Sequence, residues 1–152
     1  MSREFEERAC ARSSRRTPIA MQRDRPGSLT RELRQQAMIL RTKRFALAVI
    51  RLYASLSKST VDQVLGKQVL RSATSIGAHY REACRAKSNA DFVSKIEGAL
   101  QELDETVYWL ELLQDSHSAK TEAVEPLAIE ANELISIFVT VSRSVKALPA
   151  TR

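Results

Sequence analysis

Two histidines and two cysteines are the residues of this chain whose types could support catalysis or metal binding: His79, His117, Cys10 and Cys84. His79 and Glu82 are three residues apart, so on a helix they share a face. A di-metal site in a helical bundle needs repeated Glu-x-x-His pairs and further carboxylates, and this chain lacks that repeat. His117 falls in a predicted loop. The pattern therefore predicts no metal site, and His79 is interpreted as a residue at the edge of a buried face.

A catalytic cysteine is also not indicated. Cys84 follows His79 by five residues, which aligns a thiol poorly with an imidazole on a helix, and no third group is placed to orient the pair. Cys84 is instead predicted to be a small core residue. The chain has no Gly-rich phosphate loop and no Gly-x-Ser-x-Gly motif. These observations predict a protein that is not an enzyme, with no catalytic residues and no cofactor.

Arginines are the remaining chemically distinctive group. Six of them fall on the outward sides of the first two predicted helices, at Arg41, Arg44, Arg51, Arg71, Arg81 and Arg85. Arginines in such rows contact phosphates, and the resulting affinity is sensitive to salt and largely independent of sequence. No aromatic residue is interleaved with them, so stacking on single-stranded bases is not predicted. We interpret these six arginines as candidate RNA- or DNA-binding residues.

The charge of the chain is unevenly distributed around a formal net value of +6. Residues 31–58 contain seven cations and one anion, whereas residues 91–115 contain seven anions and one lysine. Opposite charges of this kind predict helices that attract each other, within one subunit or between subunits. Two alternatives to nucleic-acid binding follow: the basic and acidic faces are simply solvated, or the arginines pair across subunits with the acidic third helix.

The elements that carry these residues are predicted to be helices in one domain. The chain has 152 residues, only 4 Gly and 4 Pro, and abundant Ala, Leu, Glu and Arg, which favours an all-α fold. Ser59 or Thr60 can cap the start of the second helix, and Ser88 together with Asp91 can cap the start of the third. Pro126 suits the first turn of the fourth helix. The helices are expected at about 33–56, 61–86, 89–114 and 125–148. Short connections make neighbouring helices antiparallel and predict an up-down-up-down four-helix bundle.

Each predicted helix has an apolar arc suited to burial. Ile50 on the first helix and Leu148 on the fourth are included in these buried faces. Gly77 on the second helix costs about 1 kcal/mol in helix propensity relative to Ala, and close approach of a neighbouring helix is its expected justification.

An apolar belt at the end of the third helix is the candidate assembly surface. Four large side chains crowd almost all round its last two turns, at Tyr108, Trp109, Leu112 and Leu113. An apolar surface of this kind is typical of a partner interface, so these residues are candidates for a homo-oligomer interface. The alternative is that the fourth helix and the preceding loop cover them.

Both ends of the chain are predicted to lie outside the bundle. Residues 1–32 read as a flexible, disordered Arg-rich extension with a breaker at Pro26-Gly27, residues 33–148 as the bundle, and residues 149–152 as a tail. The extension has three open explanations: a nucleic-acid-binding tail, an extension without function, or a start codon placed upstream of the true one. Met21 and Met38 are the other in-frame candidates for the start.

The chain is expected to be cytoplasmic and not to associate with a membrane. No apolar run reaches the roughly 18 residues that a membrane span needs, and the first twenty residues lack the apolar core of a signal peptide. Two cysteines are too few for a disulfide framework.

Three segments together resemble a known family: RTKRFALAVIRLY (41–53), LRSATSIGAHYREACRAKS (70–88) and DFVSKIEGALQELDETVYWLELL (91–113). They are similar to the bacterial four-helix bundle family, also called the 23S rRNA intervening-sequence protein family, over about residues 38–148. The resemblance implies a left-handed bundle that assembles into a ring-like homo-oligomer, typically a pentamer. A related branch serves as the basic accessory subunit of diversity-generating retroelements, which implies a possible reverse transcriptase partner. The family has no established catalytic residues to carry over.

The chain departs from the family pattern in the arm before Met38 and at two places within the matched segments. His79 and Tyr80 stand where the family often has Asn and a small or β-branched residue, and Gly98 stands in a run that is usually rich in alanine.

Two hypotheses about function result. The first is a non-enzymatic homo-oligomeric bundle that binds RNA or DNA non-specifically through its basic helical face, and the second is a structural or protein-interaction scaffold with no nucleic-acid role.

Overall fold

Four α-helices make up the part of the chain that the structure describes. The computed structural model describes residues 26–148, with side chains from residue 30 onward. The helices are α1 (Pro26–Ser55), α2 (Thr60–Ala83), α3 (Asn89–Asp115) and α4 (Thr121–Lys146). Each helix contacts the next along the chain, and α1 also contacts α4. The all-α four-helix fold is confirmed, and these contacts with short connections are consistent with up-down-up-down topology.

Serine caps begin the two central helices, as the sequence predicts. The Asp62 backbone N–H donates to the Ser59 hydroxyl at 3.2 Å at the start of α2. At the start of α3 the Asp91 N–H donates to the Ser88 hydroxyl at 3.1 Å, and the Lys87 N–H donates to the Asp91 carboxylate at 3.0 Å. These bonds satisfy N–H groups that have no partner within the helix.

The outer helices begin earlier than the sequence pattern indicates. α1 begins at Pro26, so residues 26–32, which were predicted to belong to the flexible extension, are helical. Proline suits a first helical position because the N–H that it lacks would have no partner there. α4 begins at Thr121, so the prediction that Pro126 lies in the first turn is wrong: it lies in the second, where it removes one backbone hydrogen bond. Residues 1–25 and 149–152, and with them most of the predicted arm and tail, lie outside the described residues.

The core follows the predicted apolar arcs with two exceptions. Buried side chains from all four helices meet along the bundle axis, among them Val49, Ile76, Leu103 and Phe138. Ile50 and Leu148 were predicted to be buried, but they are 41% and 57% exposed. Ile50 lies at the edge of its arc, and Leu148 lies beyond the end of α4 at Lys146. A buried hydroxyl pair also joins α2 to α3, with Thr106 Oγ1 and Ser72 Oγ 2.8 Å apart.

The space beside Gly66 of α2 is filled by side chains at the end of α1 and just after it. A Cβ added at Gly66 would lie 2.6 Å from Leu56 Cδ1 and 2.7 Å from Tyr53 Cδ2. A Cβ at Gly77 would meet its nearest neighbour, Thr42 Oγ1, at 3.4 Å, which is ordinary contact. A neighbouring helix therefore does contact the position of Gly77, but the space there would accommodate the methyl group of an alanine.

Candidate nucleic-acid interface

Arg41 is engaged by the fourth helix. Its Nε and Nη2 donate to the two carboxylate oxygens of Glu130 at 2.6 and 2.8 Å, and Nη2 also contacts Glu133. Hydrogen bonding to Glu130 is the largest influence on the guanidinium and raises the pKa of Arg41. This fork-shaped contact is the strong form of an arginine–carboxylate pair. Arg41 therefore joins α1 to α4 and has little capacity left for a phosphate.

Arg71 is engaged by the acidic third helix. Its Nη1 lies 3.4 Å from Glu102 Oε1, and its Nη2 contacts Glu105. The expected attraction between the basic and acidic helices is thus made within one chain at this position. The alternative that the arginines pair with the acidic helix across subunits is not needed for Arg71.

The other four candidate arginines remain available. Arg44, Arg51, Arg81 and Arg85 are all exposed, and none forms an ion pair with any residue between 26 and 148. Glu82 lies between the last two in sequence, but its carboxylate is bound by Lys95 Nζ at 2.8 Å, which lowers the pKa of Glu82. Of the six candidate arginines, these four are therefore free to donate hydrogen bonds to phosphate oxygens.

The four available arginines fall into two patches, one on each helix. Arg44 and Arg51 form the α1 patch, and Arg81 and Arg85 form the α2 patch. Because α1 and α2 are joined by a short connection after residue 55, Arg51 lies near that connection, whereas Arg81 lies near the far end of α2. At 1.5 Å per residue, Arg81 is separated along the bundle from Arg51 by about 25 Å and from Arg44 by about 15 Å. A long polyanion can span both patches, whereas a mononucleotide cannot.

The predicted apolar belt is only partly at the surface. Tyr108 is 53% exposed, with its ring centroid 4.9 Å from that of Trp109. Trp109 and Leu112 are partly buried, and Leu113 is completely buried in the core. Leu113 therefore offers no surface to a partner, because the helix presents it to the bundle interior. The candidate interface is reduced to Tyr108 and the edges of Trp109 and Leu112.

Sequence reasoning missed other exposed apolar side chains. Leu33, Leu40 and Leu47 are 62%, 46% and 42% exposed on α1, and their seven-residue spacing was the signal that could have found them. Val61 and Val64 are also exposed at the start of α2. Since α2 and α3 form a hairpin, Val64 lies at about the level of Tyr108.

Of the residues with types suited to metal binding or catalysis, His79, Glu82 and Cys84 lie in the described part of the chain and Cys10 lies outside it. His79 packs against Gly98 of α3, and Glu82 is bound to Lys95. Cys84 is a free, half-buried thiol. Across residues 26–148, no group of three or more His, Cys, Asp or Glu side chains is placed to hold a metal ion. No helix in the same range is long and apolar enough to cross a membrane.

The geometry defines a class: an all-helical four-helix bundle with exposed arginines and exposed apolar side chains, and without a convergent polar centre in its described part. The chain matches the model of the 23S rRNA-intervening sequence protein family over residues 34–140. It belongs to that family, as the sequence motifs predicted.

A solved structure supports the assignment. The chain is similar to a protein from Bacteroides thetaiotaomicron, described as a protein of the S23 ribosomal protein family with unknown function, whose crystal structure was determined at 1.70 Å resolution. The two share 36% sequence identity with a TM-score of 0.67, over 72% of this chain and 97% of that protein. A search of curated proteins finds no match. Family and neighbour thus establish the fold without assigning an activity.

Proposed function

We propose that this protein is a non-enzymatic, homo-oligomeric bundle that binds RNA or DNA non-specifically through its exposed arginines. The observation that carries the proposal is that Arg44, Arg51, Arg81 and Arg85 are exposed and unpaired within residues 26–148, although carboxylates are abundant on α3. Arg41 and Arg71 have structural partners and are removed from the candidate set.

The mode of binding follows from the chemistry of these groups. Guanidinium groups on exposed helix faces reach the phosphate backbone, and base edges are read by side chains that enter a groove or stack on bases. Neither patch has a stacking aromatic among its members. Binding is therefore expected to be independent of sequence and to weaken steeply with salt as counterions are released.

Filter binding to a structured RNA and to duplex DNA, at low and moderate salt, tests the proposal. Arg81→Glu is compared with Lys120→Glu, which makes the same charge change at an exposed cation on the α3–α4 connection. We expect Arg81→Glu to weaken binding and reduce its salt dependence, and Lys120→Glu to have a smaller effect. The absence of binding by the unaltered protein at low salt would overturn the proposal. Equal loss of binding in both variants would show that the affinity comes from the net charge of the protein and not from the two arginine patches.

The alternative function is a structural or protein-interaction scaffold. It is favoured by the exposed apolar side chains Tyr108, Val61 and Val64, which lie toward one end of the bundle on adjacent helices. The same surface supports the homo-oligomer, for which the family resemblance implies five subunits. A reverse transcriptase partner and a cytoplasmic location remain proposals from the resemblance and the composition. A stable assembly that binds no RNA or DNA at low salt is the outcome that selects the scaffold.

A further inference from the structure

An open cleft separates the first half of α1 from the second half of α4. Its volume is about 960 Å³, and the end of α2 and the start of α3 also line it. The Arg41–Glu130 pair joins α1 to α4 at one end of the cleft. A cavity of this size lies within the range of small-molecule sites. Neither basic patch contributes to the lining.

The floor of the cleft is apolar. Tyr80 and Phe138 stack with ring centroids 5.4 Å apart and an interplanar angle of 9°, and Phe92 lies beside them. Ile137, Val141 and Val145 continue the apolar surface along α4. From Ile137 to Val145 the helix rises about 12 Å, which matches the reach of a medium-length alkyl chain. Burial raises the pKa of Tyr80 to about 12, so its phenol adds no negative charge to this floor.

The rim of the cleft is cationic. Arg31, Arg34 and Lys87 line it, all three are exposed, and none forms an ion pair with another residue in the described range. Arg41 is the fourth lining cation, and no Asp or Glu is among the lining residues. Unpaired cations above an apolar floor are complementary to a molecule with one anionic end and one apolar end.

We propose that this cleft binds a single-chain anionic amphiphile, with its carboxylate or phosphate head on Arg31, Arg34 and Lys87 and its alkyl chain along α4. The proposal goes beyond the proposed function and does not depend on it, because the cleft shares no residue with either basic patch. The chain's own N-terminal segment is a poorer occupant. Residues 1–25 contain seven arginines and four acidic residues, so their net positive charge is repelled by the same rim.

Protection of Cys84 tests the proposal at the site itself. Cys84 lines the cleft and is half-buried. In the full-length Cys10→Ser variant it is the sole thiol, so its alkylation by N-ethylmaleimide can be followed by intact mass. We expect dodecanoate and dodecyl phosphate, below their micellar concentrations, to slow alkylation saturably by about tenfold or more, the effect of blocking access to a thiol. The two head groups distinguish a fatty-acid source from a phosphate source.

Controls separate the contributions of head and tail. Dodecanol supplies the chain alone, and acetate and inorganic phosphate supply the heads alone; none should protect Cys84 at the same concentration. Arg31→Glu/Arg34→Glu should weaken protection by about tenfold or more, since charge-assisted contacts are lost. Lys43→Glu, at an exposed cation on α1 outside the cleft, should leave protection unchanged. Circular dichroism confirms that each variant keeps its helices.

Three outcomes would overturn the proposal. Equal protection by dodecanol would show that charge plays no part in binding. Absence of protection by either anionic amphiphile would show that the cleft does not take this ligand class. Slow alkylation of Cys84 in the free protein that becomes fast when residues 1–25 are deleted would assign the cleft to the chain's own N-terminal segment.

Discussion

At the scale of single residues, His79 and Gly98 act as a pair. They lie on different helices and nineteen positions apart in the sequence. A Cβ added at Gly98 would lie 3.1 Å from His79 Cε1 and Nδ1, which is tighter than most real contacts. The glycine therefore makes room for the imidazole. Position 98 thus accommodates the side chain at position 79 because it carries no side chain of its own.

Replacing Gly98 by Ala should stabilise the protein less in the presence of His79 than in its absence. The helix gains about 1 kcal/mol from the better propensity of Ala, but the imidazole must shift by a few tenths of an ångström. In a His79→Ala background this opposing cost disappears, so the full gain is expected. Urea unfolding of the four proteins of this double-mutant cycle measures the difference. Equal gains in both backgrounds would show that the two residues are independent.

Asp62 should make the stability of the protein vary with pH in the acidic range. The hydroxyl of Ser118, followed by that of Ser57, lowers the pKa of its carboxyl group, and Ser57 Oγ donates to it at 2.5 Å. Because the pKa in the folded state lies below the unfolded value of about 3.9, the stabilisation is present above that value. It is lost as pH falls through the folded pKa.

Asp62→Asn removes this titration and leaves the other carboxyl groups in place. The difference in unfolding free energy between the unaltered protein and this variant is expected to shrink as pH falls from 7 to about 2, because the unaltered protein loses its carboxylate contacts. Urea titrations at several pH values measure that difference. A difference that stays constant with pH would contradict the role given to Asp62.

At the scale of elements, the two sides of α1 are held differently. Toward α2, the side chains of Leu56 and Tyr53 occupy the space that a side chain at Gly66 would need. The Tyr53 hydroxyl also donates to Gln63 Oε1 at 3.0 Å, which holds the ring in place. Toward α4, α1 is joined through Arg41, and the cleft opens beyond that contact. α1 is therefore packed tightly on one side and open on the other.

Gly66→Ala and Gly77→Ala should have opposite effects although both lie inside α2. Ala at position 66 must displace a core leucine and a hydrogen-bonded tyrosine, which costs about 1–3 kcal/mol. Ala at position 77 meets only ordinary contact and should gain up to about 1 kcal/mol in helix propensity. Thermal and urea unfolding of the two variants measures both effects. If Gly77→Ala destabilised the protein as much as Gly66→Ala does, the difference in packing between the two glycines would be contradicted.

At the scale of the whole molecule, ion pairs tie the acidic third helix to both of its neighbours. Arg71 and Glu82 of α2 pair with residues of α3, and Lys146 of α4 pairs with Glu97. Most of the partners are exposed to solvent, so these pairs add little to stability. These pairs neutralise only part of the acidic face of α3, and Arg44, Arg51, Arg81 and Arg85 stay unpaired within residues 26–148.

Tyr108→Asp is the variant that tests the assembly surface. Trp109 packs partly against the core, so its replacement would also disturb the fold, whereas Tyr108 is largely exposed. We expect the unaltered protein to have a mass several times its 17.1 kDa protomer, and Tyr108→Asp to lower that mass, because a charge is costly in an apolar interface. Light scattering after size exclusion measures it.

Leu33→Asp provides the matched control for Tyr108→Asp. It places the same charge on an equally exposed apolar residue of α1, toward the opposite end of the bundle. Dissociation by Leu33→Asp alone would assign the interface to the line of leucines on α1. A monomeric unaltered protein would contradict assembly altogether.

The helices, two serine caps and most of the core could be predicted from the sequence, because they depend on periodicity and on contacts a few residues apart. Ser59, Ser88 and the arc through Val49 and Ile76 are examples. The start of α1 could not be predicted, because its first turns carry no apolar pattern. Pro26 is also ambiguous, since proline can break a helix or begin one. Only the tertiary structure decided that Arg41 and Arg71 are occupied, that Leu113 is buried and that His79 meets Gly98. Those outcomes depend on how far each helix is rotated about its axis and shifted along its neighbours, and a single helical wheel does not contain that information.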